Sequence, residues 1–394
     1  MPHSLEKMFQ AQYPWVEKSE IHTSYAPYRV CPLGAHIDHQ YGVITGFALD
    51  KGVTLRFAIS TDGAVNLDSM NFPEHVQFNL DSIEERQGDW GDYARGAALS
   101  LARKYQLVNG IKGVIRGTIP IGGLSSSAAV ILCYIKALAL ANEIELSSSE
   151  LIAIALYAEN AYVGINVGKL DQSCEVLSKK NQLLCLDTKD DSYYLIPANP
   201  NMPAFELAVF YSGLSRNLGS GYNTRVDEAK SAAYNLKALE GIEYGLYKDS
   251  RLRDVPVSVF EKWKDRLPPV FAKRALHYYS EMDRVEKGVD AWKQGDIKAF
   301  GKLMFESGYS SINSWETGSS ELITIYEIMT HTSGIYGGRF SGAGFKGCCV
   351  GLIDPDYKEQ IGEQMTREYL AIFPQYKDIF SIHFCKTDDG VREL

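Results

Sequence analysis

Pro120-Ile-Gly-Gly-Leu-Ser-Ser-Ser-Ala-Ala129 joins two segments of opposite character. Ahead of it, the β-branched Ile111–Ile119 (IKGVIRGTI) reads as a strand that leads into a Pro/Gly turn. Behind it, residues 126–142 form an apolar run too long for a strand, which predicts a helix. Glycines let a backbone approach a ligand closely, and the free amides and dipole of a helix start favour an anion, phosphate above all. Three successive serines add hydroxyls for phosphate or Mg²⁺. Gly122, Gly123, Leu124, Ser125, Ser126, Ser127 and Ala128 are therefore the candidate phosphate loop. An ordinary serine N-cap would use the same letters. The segment is not a Walker A loop, because no Gly-Lys-Ser/Thr follows.

Outward from this loop stand four more polar segments. Arg29-Val-Cys-Pro-Leu-Gly-Ala-His-Ile-Asp-His39 gathers Arg, His, Asp and His around a Pro/Gly turn. His36 and His39 lack a third metal ligand at diagnostic spacing. A sugar site fits better: Asp38 accepts hydroxyl hydrogens, His36 adds a donor and Arg29 handles negative charge. A polar turn bonded to itself would look the same. Residues 148–165 read as a helix whose stripe of Ile152, Ala155, Leu156, Tyr162 and Val163 includes Glu159. A carboxylate there needs a partner, either a salt bridge or Mg²⁺. In Gly168-Lys-Leu-Asp-Gln172, Asp171 opens the next helix, where an acid also complements the dipole. Gly342-Ala-Gly-Phe-Lys-Gly347 matches GxGxxG, but the strand-like Cys348-Cys-Val-Gly-Leu-Ile353 follows where a dinucleotide fold needs a helix. Gly337–Ile353 thus reads as a glycine-rich hairpin approaching a ligand or another backbone.

The rest of the chain is mixed. Residues 1–20 read as a helix, Val53–Ile59 and Val76–Leu80 as strands with Thr61-Asp62-Gly63 as a turn, and Asp92–Tyr105 as a helix. Pro197-Ala-Asn-Pro-Asn-Met-Pro203 suggests a boundary, giving domains 1–199 and 200–394. Phe205–Tyr211 reads as a strand, helices dominate from about 222 to 330, and the fold class is α+β. At roughly 150 residues per domain, 394 residues make two or three domains. With 40 Lys and Arg against 49 Asp and Glu, the net charge of −9 argues against nucleic-acid or membrane partners. Seven scattered cysteines without a CxxC favour reduced thiols in the cytoplasm over zinc or disulfides. The N-terminus lacks the apolar core of a signal peptide, and the longest apolar run, broken by Lys136, is too short to span a bilayer. Oligomeric state is not legible.

Three segments in this order, Arg29–Asp38, Gly117–Val130 and Gly338–Cys349, resemble the motifs of the GHMP small-molecule kinases, and the resemblance spans nearly the whole chain. The first looks like the galactokinase signature Gly-Glu-His-Thr-Asp. Gly164–Gln172 and Tyr222-Asn-Thr-Arg225 resemble further galactokinase sugar-site segments. Ala35, His39 and Lys346 depart from that branch. With Ala272-Lys-Arg-Ala-Leu-His-Tyr278 and Gly344-Phe-Lys-Gly-Cys-Cys349, the chain looks closest to the galacturonokinases. The resemblance implies an S5-like N-terminal domain, a ferredoxin-like C-terminal domain and an active site in the cleft between them. It implies that Gly122–Ala128 wraps the phosphates of ATP, that Ser126 and Glu159 hold Mg²⁺, and that Arg29 and Asp171 flank the reacting anomeric hydroxyl. It places Ala35, His36, Asp38 and Tyr222 against a sugar or uronic acid. Galactose or another pyranose, and a sugar sensor without catalysis, are the alternatives.

Overall fold

The computed structural model describes residues 4–119, 122–164, 167–214, 221–243 and 245–394. Pro120 and Ile121 of the serine-rich loop, and Ile165 and Asn166 before Asp171, lie outside the described residues.

The N-terminal helix is shorter than its letters suggest. Ser4 caps α1 (Leu5–Gln12), and a separate 3₁₀ turn covers Lys18–Glu20. β1 (His22–Val30) gives no alternation to read, because both faces are buried from Ser24 onward and Pro27 sits at a register shift. The alternating stretch 53–59 is the second half of an 18-residue strand, β2 (Val43–Ser60), whose first half is buried on both faces. β3 (Ala64–Ser69), β4 (Val76–Asn79) and β5 (Gly110–Gly117) follow, with α2 (Asp92–Ala102) between the last two. α3 (Ser126–Ala141) then lies across β1 and β2 beside α2, and its nearly continuous apolar surface is buried accordingly. α4 (Ser148–Tyr157) runs into a π-helical turn, Ala158–Val163, rather than continuing as α-helix to 165. After α5 (Leu170–Leu177) come β6 (Gln182–Asp187) and β7 (Tyr193–Pro197).

The second half opens with β8 (Glu206–Tyr211). α6 (Gly221–Glu240), α7 (Val257–Trp263), α8 (Pro269–Gln294), α9 (Ile297–Asn313) and α10 (Ser320–His331) lead to the antiparallel hairpin of β9 (Ile335–Phe340) and β10 (Cys348–Ile353). α11 (Lys358–Ile372) and β11 (Ser381–Cys385) complete a four-stranded sheet in the order β11-β8-β10-β9. That is strand–helix–strand–strand–helix–strand with the spatial order 4-1-3-2, a ferredoxin-like arrangement. The first sheet runs β13-β1-β2-β5-β3-β4, and the chain's end supplies two of its strands, β12 (Thr387–Asp388) on β2 and β13 (Arg392–Glu393) on β1. A cut between 199 and 200 therefore separates the two sheets except for this returning tail. Among the described residues, no helix is long and apolar enough to cross a membrane.

Candidate active site

The loop before α3 is occupied differently from an ordinary cap. Ser125 has left-handed backbone angles (φ 59°, ψ 40°), unusual for a residue with a Cβ, and its side chain makes no capping bond to α3. Ser125 Oγ instead donates to Asp171 Oδ2 and accepts from Arg29 Nη2 at 2.8 Å. The first-turn amides of α3 are thus not consumed by a serine cap, which leaves them for an anion. The loop is braced from below by the glycine hairpin. A Cβ on Gly347 (φ 95°) would lie 2.7 Å from the Gly122 carbonyl carbon, and one on Gly123 would lie 3.0 Å from the Ser341 oxygen. GxGxxG here serves backbone against backbone.

Arg29, at the end of β1, joins the serine-rich loop, the start of α5 and the end of β9. Its Nε donates to Asp171 Oδ1 at 2.7 Å, and Nη1 donates to Gly123 O at 3.3 Å and Ser341 Oγ at 3.2 Å. Burial opposes its charge, but the Asp171 carboxylate more than offsets this and the guanidinium pKa is raised. Asp38 starts a short 3₁₀ turn and lies against the segment before α5, where its Oδ2 accepts from the Leu170 amide at 3.3 Å. Any Cβ on Gly168 would collide with that oxygen at 2.0 Å, so Gly168 is required for Asp38 to sit there. Burial, reinforced by Asp171, pushes the Asp38 carboxyl up to about 6. Tyr222, at the start of α6, stands edge-on to His39 at 6.4 Å, and burial with Asp38 nearby raises its phenol well above the usual value.

Glu159 projects from the π-helical turn, an irregularity common at functional sites. It accepts from Ser127 Oγ at 2.6 Å through one oxygen and from Gln172 Nε2 at 2.6 Å through the other. Burial, reinforced by Asp171, pushes its carboxyl up to about 7 against the two hydrogen bonds and Arg29. The serine that meets Glu159 is Ser127, not Ser126; on α3 the two point about 100° apart, and only the second faces the turn. Among the described residues, no three His, Cys, Asp or Glu side chains gather as a metal cage. One carboxylate with one hydroxyl fits Mg²⁺, which keeps waters and takes most of its remaining ligands from substrate phosphates. Beside these serines opens a mostly apolar cavity of about 120 Å³, lined by Ser126, Ser127, Asn71, Phe72, Trp90 and Tyr93.

Residues 92–179 match the GHMP kinases N terminal domain, and residues 289–371 match the GHMP kinases C terminal domain. The galacturonokinase of Arabidopsis thaliana is 38% identical over 98% of this chain and 96% of that protein. This chain belongs to the GHMP kinases. The galactokinase of Roseiflexus sp. is 30% identical over 94% of the chain and 92% of its own length. The solved galactokinase of Lactococcus lactis complexed with galactose superposes with a TM-score of 0.89 at 25% identity, covering 99% of this chain and 100% of that one. As a GHMP kinase, the protein is an enzyme of the two-domain fold that the loop, the cleft and the ferredoxin-like sheet describe, and ATP is the phosphoryl donor that a kinase implies.

Several residues that hold these turns were not named as site residues from the sequence, although His277 and Arg339 lie within segments that carry the resemblance. Glu281 of α8 accepts from the Gly34 amide at 2.8 Å, across 247 residues of sequence, and so holds the turn that carries Ala35 and His36. Arg339, buried on β9, lies 3.5 Å from Glu281 and donates to Ser307 and Ser311 on α9. His277 bonds Ala35 O at 3.1 Å, and the buried Trp315 ring stacks on His36 and His39. Glu281 and Trp315 read locally as helix filler, and for all four residues only contact across the fold shows what they hold.

Proposed function

We propose that this GHMP kinase is a cytoplasmic, Mg²⁺- and ATP-dependent sugar 1-kinase that converts D-galacturonate to its 1-phosphate. The substrate rests on Ala35, buried in the turn where the galactokinase signature has Glu, together with the likeness to a galacturonokinase. ATP would lay its phosphates along Gly122–Ala128 on the uncapped start of α3, with the base in the adjoining cavity. Asp38, His36 and Tyr222 would hold the sugar. Its anomeric oxygen would attack the γ-phosphorus as the bond to the β–γ bridging oxygen breaks, releasing ADP. Asp171 would orient the hydroxyl and accept its proton, and Arg29 would spread the charge that develops. A divalent ion held by Ser127 and Glu159 would neutralise the β- and γ-phosphates. All seven cysteines are buried and free, which suits a reducing compartment.

A second reading, galactose as substrate, is favoured by the Roseiflexus and Lactococcus relatives. Competition decides between them. With both sugars, ATP and Mg²⁺ present, phosphorus NMR should show galacturonate 1-phosphate in excess. Preference for galactose would overturn the substrate, and a phosphate at any other carbon would overturn the regiochemistry.

A further inference from the structure

Three buried ring nitrogens beside Ala35 have no hydrogen-bond partner among the described residues: His36 Nε2, His39 Nε2 and Trp315 Nε1. Trp315 lies at the centre of this cluster. Its ring stacks on His36 (5.6 Å, 11°) and His39 (5.4 Å, 29°), and it packs against His277, the residue that holds the Ala35 carbonyl. Leaving such groups buried and unpaired costs stability, so several together mark a place built for something not yet bound.

The proton positions can be worked out. The Leu252 backbone amide can only donate, and it donates to Gln40 Oε1 at 3.0 Å. That fixes the Gln40 amide, so its NH₂ group faces His39 Nδ1 at 3.2 Å, and Nδ1 must accept. Burial, with Arg251 and Lys230 nearby, holds the His39 pKa down to about 3, so the ring is neutral and its single proton sits on Nε2. The indole Nε1 is a donor in every state. Two N–H groups therefore have no acceptor among the described residues. The surrounding charge agrees. Arg251 bonds only the carbonyls of Lys248 and Ser250, lies over the Tyr41 ring at 5.1 Å and is paired with no carboxylate among the described residues. The acids bound to Arg274, Glu228 and Glu316, are already committed.

Resting on the galacturonate reading, we infer that His39 Nε2–H and Trp315 Nε1–H are the specificity determinants that hold the substrate's C6 carboxylate, in the field of the unpaired Arg251. A carboxylate is an acceptor with no proton of its own, which two fixed donors suit. A hydroxymethyl group offers these two donors a single oxygen, where a carboxylate offers two. The neutral rings bind through hydrogen bonds rather than an ion pair, and Ala35 leaves room for the larger group.

The test compares kcat/KM for galacturonate and galactose, with radiolabelled ATP, in wild type and variants whose melting temperatures are recorded. Trp315→Phe keeps the stacked ring and removes the donor; it should lower the galacturonate-to-galactose ratio about tenfold or more, mainly through KM for galacturonate, with KM for ATP unchanged. His39→Leu should do the same, and His39→Gln, whose amide reaches the ε position, should restore much of it. Should Trp315→Phe fail to fold, the His39 pair decides alone. Wild type that phosphorylates galacturonate, with a ratio unmoved by the folded variants, would overturn this inference and leave the substrate reading standing. Wild type inactive on galacturonate would overturn both.

Discussion

At the scale of single residues, the site depends on where charge and protons sit. Asp171 is tied to Arg29 and Ser125, so Asp171→Asn keeps the shape while removing the proton acceptor. Its kcat should fall by about 10²-fold or more with the fold intact, the size expected for loss of a general base. Activity within a few-fold of wild type would reduce Asp171 to a helix-start acid. Asp38, whose pKa is raised to about 6 by burial and by Asp171, gains a proton below that pH and with it loses the charge and one of the acceptor sites it can offer to sugar hydroxyls. kcat/KM for the sugar, which reports the free enzyme, should therefore drop as pH falls through about 6, and Asp38→Asn should lose that limb along with most activity. At Ala35, a Glu side chain would face the uronate carboxylate. Two like charges at ~4 Å repel by roughly 1 kcal/mol in a water-like dielectric and about 4 at an effective dielectric of 20. Ala35→Glu should lower kcat/KM for galacturonate by on the order of tenfold or more while sparing galactose, a ratio read from steady-state kinetics.

At the scale of elements, the π-helical turn at Ala158–Val163 and the start of α3 form one device. The turn swings Glu159 inward to meet Ser127 at 2.6 Å. Ser127→Ala should raise the Mg²⁺ concentration for half-maximal rate several-fold, on the view that Mg²⁺ draws few ligands from protein, whereas Ser126→Ala should leave it nearly unchanged. Magnesium titrations of ADP release check this; the reverse order would restore Ser126 as the metal-side serine. The same elements show where sequence reading stops. α3, β5, β8 and the β9–β10 hairpin were legible because length, breakers and composition point one way. β1 and the first half of β2 were not, because strands buried on both faces lose the alternation that marks a half-exposed one. Ser126 and Ser127 could not be told apart by letters, since their difference is one of direction around a helix.

At the scale of the whole molecule, the two halves are locked through buried charge. Glu281 accepts from Gly34, contacts Arg284 at 2.7 Å and lies 3.5 Å from Arg339, so β9, α8 and the turn bearing Ala35 share one carboxylate. Burial works against its charge, but the two arginines prevail and hold the Glu281 pKa down to about 2. Because the folded value lies below the ordinary 4.5, this stabilisation is full above about pH 4.5 and is lost as pH falls through 2. Glu281→Gln leaves two buried guanidiniums without their anion and should cost about 3–5 kcal/mol, the usual penalty for breaking a buried pair, read as a lowered denaturant midpoint. A loss under ~1 kcal/mol would show that the arginines find other partners.

By itself the sequence determined the fold class and the family, through three separated segments in a fixed order, and it offered the serine-rich loop and the Arg29–His39 turn as candidates, because glycines, serines at a helix start and breakers between apolar runs are written in the letters. Only the tertiary structure decided which serine faces Glu159, that Ser125 is tied to Arg29 and Asp171 instead of capping its helix, that the last strands return to the first sheet, and that Trp315, His277, Glu281 and Arg339 gather around the turn of Gly34, Ala35 and His36. The physical reason is that these depend on direction and on contact between residues far apart in the chain, from Gly34 with Glu281 to Ser24 with Glu393. A buried charge or an unpaired donor has meaning only once its neighbours are known.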